Sequence, residues 1–214
     1  AIARSHAPIT KSAFVLDSCA GAKVLDVGCL DHSGAKAIAA GPNWLHAQVR
    51  DVARSLIGLD FVAKDVEMMN QLGYSIIVGN AEEFQLNEQF EVVLAADVVE
   101  HLSNLGLFLE RAREHLVERG RLVLTTPNPF ALGHFAHALI RGEIAVNDEH
   151  TVWLDPLVLF ELLGRHGFVV QTFKWLTADK VSAGGRNAID ALGKPLVRFR
   201  PVLHRNYGVV AAPS

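Results

Sequence analysis

Only two cysteines, Cys19 and Cys29, occur in the 214 residues, and neither sits in a C-x-x-C spacing. That scarcity removes a disulfide framework and offers no paired cysteine ligands for a metal. No uninterrupted apolar run approaches the roughly 18 residues of a membrane span, and residues 1–10 lack a secretory apolar core. The expected location is the cytoplasm, and the missing initiator methionine before Ala1 points to a trimmed start. Basic charge is also in short supply: the formal net charge is −3, so there is no positive field for a phosphate backbone and nucleic acid is a poor partner. With no low-complexity tract and no repeat of fixed period, the length fits one domain over residues 1–214.

Within that frame, apolar runs of strand length alternate with longer amphipathic stretches, the pattern of right-handed β-α-β units. Strands are expected over residues 24–27, 56–59, 75–78, 92–95 and 122–125, and helices over 44–54, 61–72 and 105–117. In the last helix Leu105, Phe108, Leu109, Ala112, Leu116 and Val117 share a face, with Gly120 as the glycine that ends it. After Pro129 come an expected helix at 130–140, a polar loop at 142–150 and a helix at 156–165 capped by Asp155; together, residues 127–166 read as a cover. Runs at 168–175 and 207–211 then form a closing antiparallel pair, separated by Gly184-Gly185 and a helix over 187–197. The fold class is therefore α/β, a Rossmann-like, doubly wound and mainly parallel seven-stranded sheet with an antiparallel last strand.

The chemistry concentrates where strands end. Lys23-Val24-Leu25-Asp26-Val27-Gly28-Cys29 closes a strand on an acid and a glycine, and Ser55-Leu56-Ile57-Gly58-Leu59-Asp60 closes another on the acid that holds ribose hydroxyls in such folds. A dinucleotide fingerprint G-x-G-x-x-G fails, because Leu30 and Ser33 stand where its later glycines belong. Without that cradle, and with Asp26, Asp60 and Glu82 at the strand ends, the site favours a ligand with a positive end and free hydroxyls over one carrying phosphates. Each residue has a plainer reading: Asp26 as a helix cap or a plain buried acid, Glu82 in a solvated turn, Asp97 as a helix cap, His101 packed on the sheet, and His150 in a solvated loop.

In matching order from about residue 23 to 175, the chain resembles the class I S-adenosylmethionine-dependent methyltransferases. Val24-Leu25-Asp26-Val27-Gly28-Cys29 is similar to the family's first motif, Leu59-Asp60 to its ribose acid, and Gly79-Asn80-Ala81-Glu82 to its adenine turn. Asp97-Val98-Val99-Glu100-His101-Leu102, followed by the strand leading to Thr126-Pro127-Asn128-Pro129, resembles the ubiquinone-type small-molecule O-methyltransferases. The resemblance implies S-adenosylmethionine as cofactor, with Asp26, Gly28, Cys29, Asp60, Phe61, Asn80, Ala81, Glu82 and Asp97 around it. The departure is the turn Leu30 to Gly34, which lacks the usual further glycines.

Methyl transfer to an oxygen is the implied reaction, since the Asn/Asp-Pro-Pro-aromatic run of methyltransferases acting on nucleobase amines is replaced by Asp97-Val98-Val99-Glu100. His101 or His150 would take the acceptor proton. A divalent ion on Asp97, Glu100 and His101 is the less favoured addition, drawn from related proteins with Glu-x-x-Glu-His. The acceptor is expected to be a small molecule, a glycan or a lipid-linked compound. The rival readings are a non-catalytic S-adenosylmethionine-binding protein and, further off, a nicotinamide-dependent oxidoreductase.

Overall fold

Short apolar runs that are hydrophobic at every position, rather than at every second one, belong to strands covered on both faces. The computed structural model describes residues 8–30, 33–144, 147–177 and 195–214. In it these runs form the centre of an eight-stranded sheet. The strands are β1 (Ile9–Thr10), β2 (Lys23–Val27), β3 (Ser55–Asp60), β4 (Ile76–Val78), β5 (Phe90–Ala96), β6 (Leu116–Pro127), β7 (Phe168–Thr177) and β8 (Asn206–Pro213), in the order β1-β7-β8-β6-β5-β2-β3-β4. Strands β2 to β6 pair in parallel, and β8 runs antiparallel to both β6 and β7. The eighth strand is the two-residue edge β1, too short to leave a periodic signal in the sequence.

Alternate residues of the central strands feed two cores, as the strand period of two requires. Leu25, Val93, Ala95, Leu122 and Leu124 pack on one face with α5 (Leu105–Glu114) and α7 (Pro156–Arg165). Val24, Val92, Leu94 and Val123 pack on the other with Phe14, Val15 and Cys19 of α1 (Lys11–Cys19) and Val49 of α3 (Leu45–Val52). Beside them lie α2 (Gly34–Ala40) and α4 (Ala63–Gln71). Helices α1 and α2 are additions to the expected set.

Helix α5 ends three residues before its expected limit. His115 closes it: Nδ1 donates to the Arg111 carbonyl at 2.7 Å, while Nε2 accepts the Leu86 N–H at 2.7 Å. Leu116 then pairs with Phe90 as the first residue of β6, and Gly120 lies inside that strand, next to a shift in its register with β5. Gly120 is therefore not a helix stop. Leu116 continues the helical spacing from Ala112 equally well as helix or strand, so periodicity could not separate the two.

Between β6 and β7 stand α6 (Leu132–Arg141) and α7, whose cap Asp155 accepts the N–H groups of Leu157 and Val158 at 2.8 and 3.2 Å, as expected. Of the helix expected over 187–197, residues 187–194, with Gly184-Gly185 before them, lie outside the described residues; residues 195–199 are helical. No helix among the described residues is long and apolar enough to cross a membrane.

The turn after β2 fixes the chain's path at the sheet edge. Gly28 adopts φ +70°, donates its N–H to the Leu59 carbonyl at 2.7 Å, and would place a Cβ 2.5 Å from Val98 Cγ2. Both the left-handed backbone and the close approach demand glycine. Replacing Gly28 by alanine is expected to destabilise the fold by about 1–3 kcal/mol, read as a lower midpoint in urea denaturation with an unchanged slope.

Candidate functional site

Parallel strands release their loops at one edge, and the loops leaving β2, β3, β4 and β5 there enclose a cavity of about 750 Å³. All eleven residues expected from the sequence line it: Asp26, Gly28 and Cys29 from β2 and its turn, Asp60 and Phe61 from β3, Asn80, Ala81 and Glu82 after β4, Asp97 and His101 after β5, and His150 from the loop between α6 and α7. Burial and the neighbouring Asp26 and Asp60 carboxylates push the Cys29 thiol well above its ordinary range, so it is a neutral wall and not a nucleophile.

The carboxylates differ in how the protein satisfies them. Asp60 is buried, with Oδ2 accepting the Leu30 N–H at 3.1 Å and Oδ1 the Val62 N–H at 3.2 Å. Asp26 is engaged by a side chain: its Oδ2 lies 2.7 Å from Nδ1 of the equally buried His46. Beside His46, Trp44 Nε1 donates to the Cys29 carbonyl at 2.7 Å and its ring meets Tyr74 edge-on, while the Arg50 guanidinium sits 4.4 Å over the Tyr74 ring. The turn that lacks the further glycines is thus held by the entrance to α3. Gly34, which opens α2, donates its N–H to Asp65 Oδ2 at 3.0 Å, pinning the far side of the same turn.

Glu82 turns towards α5. Its Oε1 accepts the N–H groups of Ser103 and Asn104 at 2.7 and 3.0 Å, and these bonds, led by that of Asn104, hold its carboxyl below the ordinary range. Asp97 has φ +56°, an uncommon conformation for a residue with a side chain. Its Oδ2 lies 2.8 Å from Lys11 Nζ and its Oδ1 accepts the Thr125 hydroxyl at 2.7 Å. It caps no helix: the single turn Val99–His101 that follows starts from Val98 without a side-chain cap.

Glu100 is buried, with Oε2 accepting the Thr126 hydroxyl at 2.9 Å and Oε1 without a hydrogen-bond partner among the described residues. Desolvation first, and the Asp97 charge second, push its carboxyl up to about 8. His101 Nδ1 lies 3.2 Å from the Glu149 carbonyl, and its ring meets that of His150 edge-on at 4.7 Å between centroids. Partial burial, then the neighbouring His101, lower the pKa of His150. Ligand atoms of Glu100, His101 and His150 all lie within 4.8 Å of one another, a set that could hold a divalent cation. It differs from the expected set: Asp97 is taken up by Lys11 and Thr125, and His150 stands in its place.

Sequence reasoning missed Lys11 and His46. Lys11 lies 86 positions from its partner on an unexpected helix, and no local pattern marks it. For His46 the one available signal was the aromatic neighbour in Trp44-Leu45-His46.

A family model described as a methyltransferase domain matches residues 5–172. The chain belongs to this methyltransferase family. It is 34% identical over 198 residues to the ubiquinone biosynthesis O-methyltransferase of Bradyrhizobium diazoefficiens, covering 92% of this chain and 65% of that protein. The corresponding protein of Azorhizobium caulinodans is 24% identical over 201 residues, covering 88% and 75%. Among solved structures, the magnesium protoporphyrin IX methyltransferase of Synechocystis, with bound S-adenosylhomocysteine, shares the fold at a TM-score of 0.61 and 15% identity, over 95% of this chain and 80% of that one. The chain spans from about half to three quarters of the length of the curated relatives it matches.

S-adenosylmethionine is the methyltransferase's cofactor, and the residues present fit it. The cavity has the volume of a small-molecule site, and the carboxylates in its wall suit hydroxyls and a sulfonium and oppose phosphates. Each oxygen of Asp60 accepts one backbone N–H, and a carboxylate oxygen has a second lone pair that could accept a hydroxyl.

Glu100 makes a pH signature. Its folded carboxyl titrates at about 8 against an ordinary 4.5, so between those values the folded methyltransferase holds a proton that the unfolded chain has lost. Stability should therefore fall as pH rises from about 4.5 to about 8. Glu100→Gln is expected to flatten that fall, gaining on the order of a few kcal/mol over wild type at the alkaline end, in urea titrations across that range.

Proposed function

We propose that this protein transfers a methyl group from S-adenosylmethionine to a hydroxyl oxygen of a small-molecule, glycan or lipid-linked acceptor. The observation that carries the reading is the paired imidazoles of His101 and His150 in the wall of the same cavity that holds the cofactor acids. The ubiquinone-type O-methyltransferase names of its relatives support oxygen as the acceptor atom.

When bound, the sulfonium supplies an electrophilic methyl group. Positioning then provides most of the acceleration, since aligned reactants gain roughly 7–11 kcal/mol. In this reading Asp60 takes the ribose hydroxyls, Phe61 with Asn80 and Ala81 frames the adenine, and Gly28 and Cys29 lie along the methionine portion. Glu82 acts indirectly, tying the adenine turn to α5 through Ser103 and Asn104. Asp26 acts indirectly too, through His46 and the turn beyond Cys29.

An acceptor alcohol must lose its proton, and His150 is suited to take it because its lowered pKa keeps the ring neutral at neutral pH. Glu100, with a carboxyl at about 8, is protonated there and is the poorer base. A smaller recess beside His150, lined by Pro129, His134 and Trp153, gives the acceptor an aromatic wall that suits a ring or an apolar chain.

Labelled methyl transfer over phenolic, lipid-linked and sugar acceptors tests the reaction; methyl found only on amines, or on none of them, would end the oxygen assignment. Because the base must be neutral, kcat is expected to fall as pH drops through a midpoint below 6.5, the ordinary value for this ring. His150→Asn should reduce kcat by about 10²–10⁴ and abolish that acid limb, while S-adenosylhomocysteine affinity by calorimetry stays within about twofold.

A further inference from the structure

We infer that Thr151 is the positioning residue on the acceptor side of the cavity, fastening the loop that carries His150 to the turn that carries His101. This rests on the methyl-transfer reading given above, with His150 as the base, and says what holds that base in place.

The two imidazoles sit on segments with little regular structure to place them. Residues 147–155 form neither helix nor strand, and His101 ends the single turn Val99–His101 that follows β5. The edge-on meeting of the rings, at 4.7 Å between centroids, therefore depends on what joins loop to turn. One ring contact is weak against the conformational freedom of a loop of this length.

Thr151, next in the chain to His150, makes the joint. Its N–H donates to the Glu100 carbonyl at 2.8 Å, and its Oγ1 lies 2.6 Å from the Leu102 carbonyl and 3.2 Å from that of Glu100. A hydroxyl has one proton to give. The shorter contact takes it, while the Glu100 carbonyl is served by the N–H groups of Thr151 and, at 3.3 Å, Val152. These two carbonyls flank His101, so the turn is gripped on both sides of the imidazole. His101 closes the clasp from its own side: Nδ1 donates to the Glu149 carbonyl at 3.2 Å, which in the neutral ring leaves Nε2 as the acceptor. Asn147 sets the bend of the loop, its Oδ1 accepting the Glu149 N–H at 3.3 Å and its carbonyl the His150 N–H at 3.0 Å.

Thr151 lines neither the cavity nor the smaller recess, so it touches no ligand and acts through its neighbours. Further along the loop, the buried Tyr207 hydroxyl donates to the Leu154 carbonyl at 2.9 Å and places the start of α7. That bond is too distant in the chain to fix an imidazole at position 150 to within about 1 Å, a misplacement that can cost about 10²-fold in rate. The partners of the cofactor acids Asp26 and Asp60 are His46 and the N–H groups of Leu30 and Val62. Releasing Thr151 therefore disturbs the acceptor side and leaves the cofactor side as it was.

Labelled methyl transfer to the hydroxyl acceptor that wild type uses, together with calorimetric titration of S-adenosylhomocysteine, tests this on the full chain. Thr151→Val keeps the branched outline and the N–H but removes the hydroxyl. It is expected to lower kcat about tenfold or more, with the KM for S-adenosylmethionine and the affinity for S-adenosylhomocysteine within about twofold of wild type, which also shows that the variant folds. Thr151→Ser restores the hydroxyl and should bring kcat back to within about threefold of wild type. In a His150→Asn background Thr151→Val should cost no more than about twofold further, because a residue that acts through another loses its effect once the other is gone. The inference fails if Thr151→Val keeps the wild-type kcat, if it weakens S-adenosylhomocysteine binding as much as it lowers kcat, or if its effect is undiminished when added to His150→Asn. If wild type methylates no hydroxyl, or His150→Asn alone leaves kcat unchanged, the reading of His150 as the base falls first and takes the clasp with it.

Discussion

Parallel pairing of β2 with β3 and β5 is the constraint on which the rest of the site depends. Because the strands point the same way, Asp26, Asp60 and Asp97 come to one edge, although 34 and 37 positions of intervening chain separate them in sequence. An antiparallel partner at any of these places would send its acid to the opposite edge. The burial of both sheet faces, with Val24, Val92 and Leu94 to one core and Leu25, Val93 and Ala95 to the other, fixes the register that keeps the tips level. A slip of one residue would exchange the faces and withdraw the acids from the cavity.

What was legible in the sequence follows from this. The β-α-β alternation and the strand-end acids are local signals, and Asp26, Asp60, Asp97 and His101 each belong to a short pattern tied to a strand. All of them line the cavity. The illegible parts are long-range or ambiguous in period. His46 reaches Asp26 only because α3 packs against the sheet, and only the nearby Trp44 marks the position. Lys11 depends on α1 crossing to β5. Gly120 misled because glycine ends helices more often than it sits in a strand, and only the pairing of Leu116 with Phe90 settles the matter. Glu82 shows a further limit: its position at the cavity was readable, but the direction of its carboxylate, towards the start of α5, was set by a loop 21 residues away.

Placing several acids in one wall carries a cost that the fold meets differently at each. Asp26 has an imidazole, Asp60 two backbone N–H groups, Glu82 the start of a helix, and Asp97 an ammonium and a hydroxyl. These partners orient the acids before a ligand arrives, so little rearrangement is left for binding to drive. Glu100 is the exception. With Oε1 unpartnered and Asp97 nearby, it escapes the penalty by staying protonated up to about 8.

The opposite shifts of Glu100 and His150 have one physical source and two consequences. Removal from water penalises the charged form of either group, which raises an acid and lowers an imidazole. Around neutral pH both are therefore uncharged. A neutral imidazole can accept a proton, while a protonated carboxyl has one to give, so the same desolvation leaves the two groups with opposite capacities. The carboxylates of Asp26, Asp60, Glu82 and Asp97, by contrast, are each met by a protein partner. The cavity thus joins two kinds of wall: carboxylates each met by a protein partner at the tips of β2, β3 and β5, and two groups that burial leaves uncharged beside the smaller recess.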